Sequence, residues 1–243
     1  MLDICYSIYV MSQNIKKMFS QISPTYDQLN HVLSFNLDKG WRYRSLKLID
    51  QPRVANLDVL DLCAGTFDYS LECLKRFPKA QITAVDFSHD MLQAGYHKIE
   101  KYIVNAQVRP LQADALNLPF DDNTFQIIIC GYGVRNFDDL TKGLSEIKRV
   151  LKPGGQVIVL DFFTPENMMA RFFHKTYARY IIPWLGRLIS GHVGAYTYLK
   201  NSIQGFVTKT VFIQKMNEMD FVDVRYKKFL FHISHAVSAK KKS

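Results

Sequence analysis

From Leu57 onward, short apolar runs alternate with helix-patterned stretches, and few folds can absorb that order. Leu57–Leu62 (LDVLDL), Ile82–Val85, Val108–Gln112, Phe125–Cys130 (FQIIIC) and Val157–Leu160 (VIVL) are brief and mostly rich in Val, Ile and Leu. Continuous apolar runs suit parallel strands covered on both faces, whereas a half-exposed strand would alternate. Between the runs, Tyr69–Phe77, Met91–Tyr102 and Asp139–Leu151 carry a helical period. This pattern predicts βαβ units wound on both sides of one α/β sheet, with any ligand held beyond the carboxyl ends of the strands. A helix-like run, Val211–Met219, leads into a closing pair of strands near Phe221–Phe229 and Phe231–Ala239.

No repeat, linker or low-complexity tract interrupts the 243 residues, so a single domain is expected over 1–243. It divides into a helical cap (1–50, with a turn at Ser23-Pro24), a core (51–161), a helical lid (162–205) and a closing unit (206–243). The lid stretch has no place in the βαβ order. Its Phe162, Phe163, Met168, Met169, Phe172, Phe173, Trp184 and Leu188 suit either a greasy substrate or a core-facing helix. Proline followed by two glycines in Arg149–Gly155 (RVLKPGG) predicts a helix stop and a tight turn into the fifth strand.

The apolar opening Met1–Val10 carries Asp3 and no basic segment, which argues for an upstream start or a loose extension rather than a signal peptide. No window approaches the roughly 18 consecutive apolar residues that a membrane span requires. The four cysteines (Cys5, Cys63, Cys73, Cys130) form no CxxC pair and have no histidines at ligand spacing. No metal is expected, and reduced thiols in a cytoplasmic protein are. Against 22 acidic side chains stand 31 basic ones, a formal charge of +9. Such a surplus favours a polyanion, either nucleic acid or an anionic membrane face. The terminal Lys240-Lys241-Lys242 reads as a solvated, frayed end.

The chemistry gathers at the strand ends. Asp61-Leu62-Cys63-Ala64-Gly65-Thr66-Phe67-Asp68 follows the first run, Val85-Asp86 ends the second, and Ala113-Asp114-Ala115 ends the third. Small residues let backbone approach a ligand. An acid ending the second strand can accept hydrogen bonds from both ribose hydroxyls of a nucleoside. An acid at the third can meet an adenine amino group, with Ala115 leaving room for the ring. The dinucleotide fingerprint G-x-G-x-x-G is missing, since Gly65 stands alone between Asp61 and Asp68. Those carboxylates would repel a pyrophosphate but suit the ammonium and sulfonium of S-adenosyl-L-methionine.

These residues resemble the class I S-adenosylmethionine-dependent methyltransferases and their seven-stranded sheet. More narrowly, the chain resembles the ubiquinone/menaquinone biosynthesis C-methyltransferase family (UbiE/MenG type). The likeness rests on Tyr26–Ser34 (YDQLNHVLS) continuing to Trp41-Arg42, and on Gly131–Asn136 (GYGVRN) after the fourth strand. Tyr196–Ser202 (YTYLKNS) and the spacing around Pro183 and Gly186 add to it, so that it covers about residues 13–239. It implies cofactor contacts at Thr66, Asp86, Asp114, Ala115 and Gly131, beside Asp61 and Gly65. The implied reaction is C-methylation of a prenylated quinol by a cytoplasmic enzyme in peripheral contact with membrane lipid. Nucleic acid is not an expected partner, because no N/D-P-P-Y-like motif occurs; a homodimer is allowed. Phe67 departs from the family's Gly or Ala: its ring must crowd the methionine moiety or turn into the protein, which predicts a weakened or reshaped cofactor site. Ile233–Ala236 departs from the family's ending.

For such a reaction Arg135 is the expected stabiliser of a quinolate, directly or through an oriented water, unless it pairs with Asp138 or Asp139 at the surface. Tyr26, Asp27 and Asn30 fall on a helix that would cover the pocket. Asp27 or His31 is the candidate base, with a structural role preferred for His31; Tyr196 and Tyr198 would bind ring oxygens or pack. Two rivals stand: another class I methyltransferase acting on a sterol or small amine, and a non-catalytic relative that has lost the cofactor.

Overall fold

The computed structural model describes residues 18–34, 36–101, 107–166, 168, 171, 198, 201–229, 232 and 234–243. Seven strands form one sheet: β1 (Asp58–Leu62), β2 (Gln81–Asp86), β3 (Val108–Gln112), β4 (Phe125–Gly131), β5 (Leu151–Phe162), β6 (Phe221–Phe229) and β7 (Ser234–Lys241). The spatial order is β3-β2-β1-β4-β5-β7-β6. Strands β1 to β5 pair parallel, and β7 is antiparallel to both β5 and β6. After β3 the chain crosses back to lay β4 against β1, so the strand order reverses between these two. A crevice opens there at their carboxyl ends.

Helices α1 (Tyr26–Leu33) and α2 (Leu37–Ser45) precede the sheet; α3 (Asp68–Arg76), α4 (His89–Lys101) and α5 (Leu140–Val150) connect its strands, and α6 (Lys209–Glu218) leads into β6. Asp139 caps α5 by accepting from the Lys142 amide at 3.0 Å, and Thr208 caps α6 in the same way through Val211. One face of the sheet packs Trp41, Leu46 and Ile49 of the amino-terminal cap together with Phe67, Phe77, Leu92 and Ile99. The other packs Leu144, Ile147 and Val150 of α5 with Phe212 and Met216 of α6. Ile127 to Cys130 are fully buried between these layers, which is why their run shows no alternation.

Two expectations need correction. Strand β5 starts at Leu151 rather than Val157, and Pro153-Gly154-Gly155 lies within it. The pairing with β4 slips between Phe125 and Ile127, Gly154 takes φ +71°, and a Cβ on Gly155 would sit 2.9 Å from the Gln126 carbonyl oxygen. The glycines therefore kink a continuous strand instead of turning into one. The last strand is described from Ser234, while Phe231 and Ile233 lie outside the described residues. This strand takes in Lys240 and Lys241, which pair with Gln156 of β5 and with Val222 and Phe221 of β6. Lys240 makes 2.8 Å ion pairs to Asp50 and Asp223, so this end is held rather than frayed.

Residues 1–17 and most of 162–205 lie outside the described residues, with Cys5, Met169, Phe172, Phe173, Trp184, Leu188 and Tyr196 among them. Of the described lid residues, Phe163 is buried and Met168 is exposed. Among the described residues no helix is long and apolar enough to cross a membrane.

Candidate active site

A cleft of about 920 Å³, open solvent included, lies at the carboxyl ends of β1 to β4. Cys63 and Gly65 bound it below β1, and Asp86, Phe87 and Ser88 at the tip of β2. Asp114, Ala115 and Leu116 follow at β3, and Gly131, Tyr132 and Gly133 at β4. Phe19 and Tyr26 cover it from the cap, and Asn136 and Phe137 close the far side. Backbone must come close in such a place. Gly65 has φ +55°, and a Cβ on Gly133 would meet Cys63 Cβ at 2.5 Å. Both positions require glycine.

Asp86 accepts the Gly65 amide on Oδ2 and the Ser88 amide on Oδ1, each at 2.8 Å. The Phe87 amide bears on the same carboxylate, which still keeps acceptor capacity for a ligand hydroxyl. Burial pushes this carboxyl above the usual range, against the pull of those amides. Asp114 is exposed at the rim, where its Oδ1 accepts the Leu116 amide at 2.9 Å. An acid positioned for a diol, a second at the rim beside a small residue, and a turn without a pyrophosphate fingerprint fit S-adenosylmethionine. The residues that would hold it are Gly65, Asp86, Asp114, Ala115 and Gly131.

Asp61 and Thr66 are brought near this cleft but do not line it. Asp61 is fully buried, with Oδ2 accepting from Ser70 Oγ at 2.5 Å and Oδ1 without a hydrogen-bond partner among the described residues. Burial lifts its carboxyl to about 7. Thr66 Oγ1 donates to Asp27 Oδ1 at 2.5 Å and accepts from Lys98 Nζ at 3.0 Å. Lys98 also pairs with Asp27 and Asp68, both at 2.6 Å. Asp27 is thus committed to a clasp between α1, α4 and the loop after β1, which leaves it poorly placed to take a proton. Arg42 adds a second tie, contacting Asp38 at 2.7 Å and Asp68 at 3.4 Å. His31 joins this group through Asp38 at 3.0 Å, a structural placement. The Phe67 ring turns away from the cleft: it is fully buried, edge-on to Tyr96 with centroids 6.2 Å apart.

Arg135 sits behind the cleft wall, on the turn after β4. Its guanidinium does not reach Asp138 or Asp139. Nη1 donates instead to Asp161 Oδ1 at 2.8 Å and to the Tyr132 carbonyl oxygen, and the backbone amide donates to Asp161 Oδ2. Its Nε is buried without a partner among the described residues. Asp161, fully buried at the end of β5, keeps this arginine a cation, although burial lifts the Asp161 carboxyl itself. Beside it Asn136 accepts from Tyr198 Oη at 2.7 Å, and burial raises that phenol to about 12. Asp161, Lys98 and Phe19 carry no motif of their own, while Asn136 ends the GYGVRN stretch without being singled out by it. Of the first three only Asp161 had a usable signal, as an acid directly after the apolar VIVL.

A seven-stranded sheet with an acid-tipped cleft at its switch point is the architecture of a class I S-adenosylmethionine-dependent methyltransferase. The chain belongs to the ubiE/COQ5 methyltransferase family, whose description matches residues 8–241, and its activity is S-adenosylmethionine-dependent C-methylation in quinone biosynthesis. It is 39% identical to a demethylmenaquinone methyltransferase of Thermus thermophilus, over 89% of this chain and 96% of that one. It is 37% identical to a ubiquinone/menaquinone biosynthesis C-methyltransferase UbiE of Desulfotalea psychrophila, over 93% and 90%. The fold matches a methyltransferase structure from Thermotoga maritima with a TM-score of 0.66 at 16% identity, covering 93% of this chain and 99% of that one. It also matches a Haemonchus contortus phosphoethanolamine N-methyltransferase in complex with S-adenosyl-L-methionine, with a TM-score of 0.63 at 15% identity over 83% and 52%.

Proposed function

We propose that the methyl acceptor is a ring carbon of a prenylated quinol, demethylmenaquinol or the equivalent ubiquinone precursor, and that Arg135 carries the charge of the reaction. The supporting observation is a buried arginine directly behind an aromatic-lined cleft, with its Nε unpartnered among the described residues. Bound S-adenosylmethionine supplies an electrophilic methyl on a sulfonium. A quinol carbon becomes nucleophilic when a neighbouring hydroxyl gives up its proton, so the protein must hold negative charge on that oxygen. Arg135 cannot serve as the base itself. It lowers the cost of the quinolate or orients a water that takes the proton. Asp161 fixes the guanidinium in place, while Phe19, Tyr26 and Phe137 offer flat apolar surface to the ring. Asp27 and Thr66 act in this reading by clasping α1, with Tyr26, over the cleft.

A prenylated acceptor resides in a membrane, so this reading includes peripheral contact with lipid. The +9 charge favours an anionic surface. The test supplies purified protein with S-adenosylmethionine and either demethylmenaquinol or a demethyl benzoquinol of ubiquinone type, and follows a mass gain of one methylene. Gain on either quinol is expected. Gain only on a sterol or small amine, with both quinols untouched, overturns the reading.

A further inference from the structure

We propose that the outer face of α2 and the turn after it, built from Leu37, Lys39, Tyr43, Arg44 and Lys47, is the surface by which the protein lies against an anionic lipid bilayer. The proposal rests on the reading of a membrane-borne quinol and names the face that meets the membrane.

The burial of α2 divides it cleanly. Asp38, Trp41, Arg42, Ser45 and, in the following turn, Leu46 are buried. Lys39, Gly40, Tyr43, Arg44 and Lys47 are exposed between them, with Leu37 40% and Tyr43 44% accessible. At helical spacing these exposed positions share one side. That side carries three cations and no acid, because the helix's one carboxylate, Asp38, points inward onto Arg42 and His31. Several cations elsewhere are met by carboxylates, as Lys98 is by Asp27 and Asp68, Arg149 by Glu146 and Asp122, and Lys240 by Asp50 and Asp223. Exposed cations without an ion pair among the described residues, such as Lys79, Arg109 and Lys142, stand on separate segments. No ion pair is made by Lys39, Arg44 or Lys47 among the described residues. Lys47 Nζ instead lies 4.8 Å from the centroid of the Tyr43 ring. Cations grouped with an exposed aromatic and a leucine match the chemistry of a headgroup layer: phosphates for the charges, and an amphipathic boundary for the rings.

The inner face of the same helix belongs to the catalytic domain's frame. Trp41 stacks at 6.3 Å on Phe229 and meets Phe162 edge-on at 6.4 Å. Phe162 in turn stacks at 4.9 Å on Tyr132, which lines the cleft. Arg42 reaches Asp68 at the start of α3. A helix with its outer side on the headgroups would therefore tie the cleft to the membrane through packed side chains.

Vesicle flotation of the full chain tests this, using phosphatidylcholine vesicles with and without about one third phosphatidylglycerol. Wild type should float with the anionic vesicles only, and 0.5 M salt should release it. Lys39→Gln/Arg44→Gln/Lys47→Gln should lose about a hundredfold in partition coefficient, near fivefold per cation at ~1 kcal/mol each. A charge-matched control, Lys79→Gln/Arg109→Gln/Lys142→Gln, removes exposed cations from other elements and should float like wild type. All three proteins should methylate a short-chain, water-soluble quinol equally, which separates this face from the reaction. Equal flotation of the two triple variants, or no flotation of wild type on anionic vesicles, overturns the proposal while turnover stands. Absence of turnover in all three proteins would instead strike the quinol reading.

Discussion

The two sides of the cleft are built by different means. On the β1–β2–β3 side the ligand groups belong to strand tips and the turns directly after them. Their hydrogen bonds are short in sequence or run between neighbouring strands, as Asp86 does to Ser88 and Gly65. On the β4–β5 side the working groups are fixed from afar: Arg135 by Asp161, 26 residues on, and Asn136 by Tyr198, 62 residues on. The cap joins in by a similar long tie, Thr66 to Asp27 across 39 residues. The first side is a preformed cradle of backbone and carboxylate. The second is a buried charge held in place by one acid. Cofactor affinity should therefore follow the first side and turnover the second, and each of the following changes bears on that separation.

The largest effect falls on Arg135. If Arg135 stabilises a quinolate as proposed, Arg135→Ala removes that charge, and losing one such group costs about 10²–10³ in kcat. S-adenosylmethionine affinity, read by calorimetric titration, should stay within about twofold by the same division of labour. Turnover surviving within tenfold, ~1.4 kcal/mol of barrier, would show that the arginine is structural only.

Next comes the cradle. Asp86→Asn replaces an acceptor-only carboxylate with a group that can offer one acceptor oxygen. Hydrogen bonds to a charged acceptor contribute about 1.5–3 kcal/mol each, so Kd for S-adenosylmethionine should rise roughly 10–100-fold. At saturating cofactor, kcat should change little. A fall in kcat with an unchanged Kd would dissolve the distinction between the two sides.

This contrast also explains what was legible in the sequence. Strand β4 and the Val157–Leu160 part of β5 announced themselves because they are buried on both faces and read as apolar runs, with β1 and β2 close behind. Strand β3, at the sheet edge, is exposed at Arg109, Leu111 and Gln112 and was legible only from the order of its neighbours. The residues at their tips came with them, as Gly65, Asp86, Asp114, Ala115 and Gly131 show. Local propensity misled where pairing prevailed. Pro153-Gly154-Gly155 reads as a turn but is held in β5 by β4, and Lys240-Lys241 reads as a solvated tail but is held by β5 and β6. The clasp of Asp27, Thr66 and Lys98 was invisible, since three polar residues on separate elements share no periodicity. Asp161 was passed over because its role exists only once β4 and β5 lie side by side.

Asp61, which does not line the cleft, acts on stability rather than on binding or turnover, so its effect on the cofactor is smaller. Its carboxyl has a folded value of about 7 against 3.8, so the native state holds a proton that the unfolded chain releases. The resulting stabilisation is complete below pH 3.8 and is lost as pH climbs towards 7. Asp61→Asn keeps a donor and an acceptor beside Ser70 without that titration. Relative to wild type, the variant should gain stability on the order of 4 kcal/mol between pH 4 and pH 8, read by thermal melts across that range. A parallel pH course for the two proteins would mean that burial does not hold a proton on Asp61.

The smallest effect on the cofactor is expected where the sequence promised a large one. Phe67 takes φ +66°, the backbone form for which glycine is suited, and its ring fills the space over Gly95 against Tyr96. Phe67→Gly relieves the φ at the cost of a cavity, and the cavity dominates: burying a phenyl contributes about 3–5 kcal/mol and the αL strain costs only about 1–3. The melting temperature should fall. Because the ring points away from the cleft, S-adenosylmethionine affinity measured well below that temperature should remain within about twofold. Affinity that improved tenfold in the glycine variant would mean that the ring does crowd the methionine moiety, and that the cradle on the β1 side is less preformed than its geometry shows.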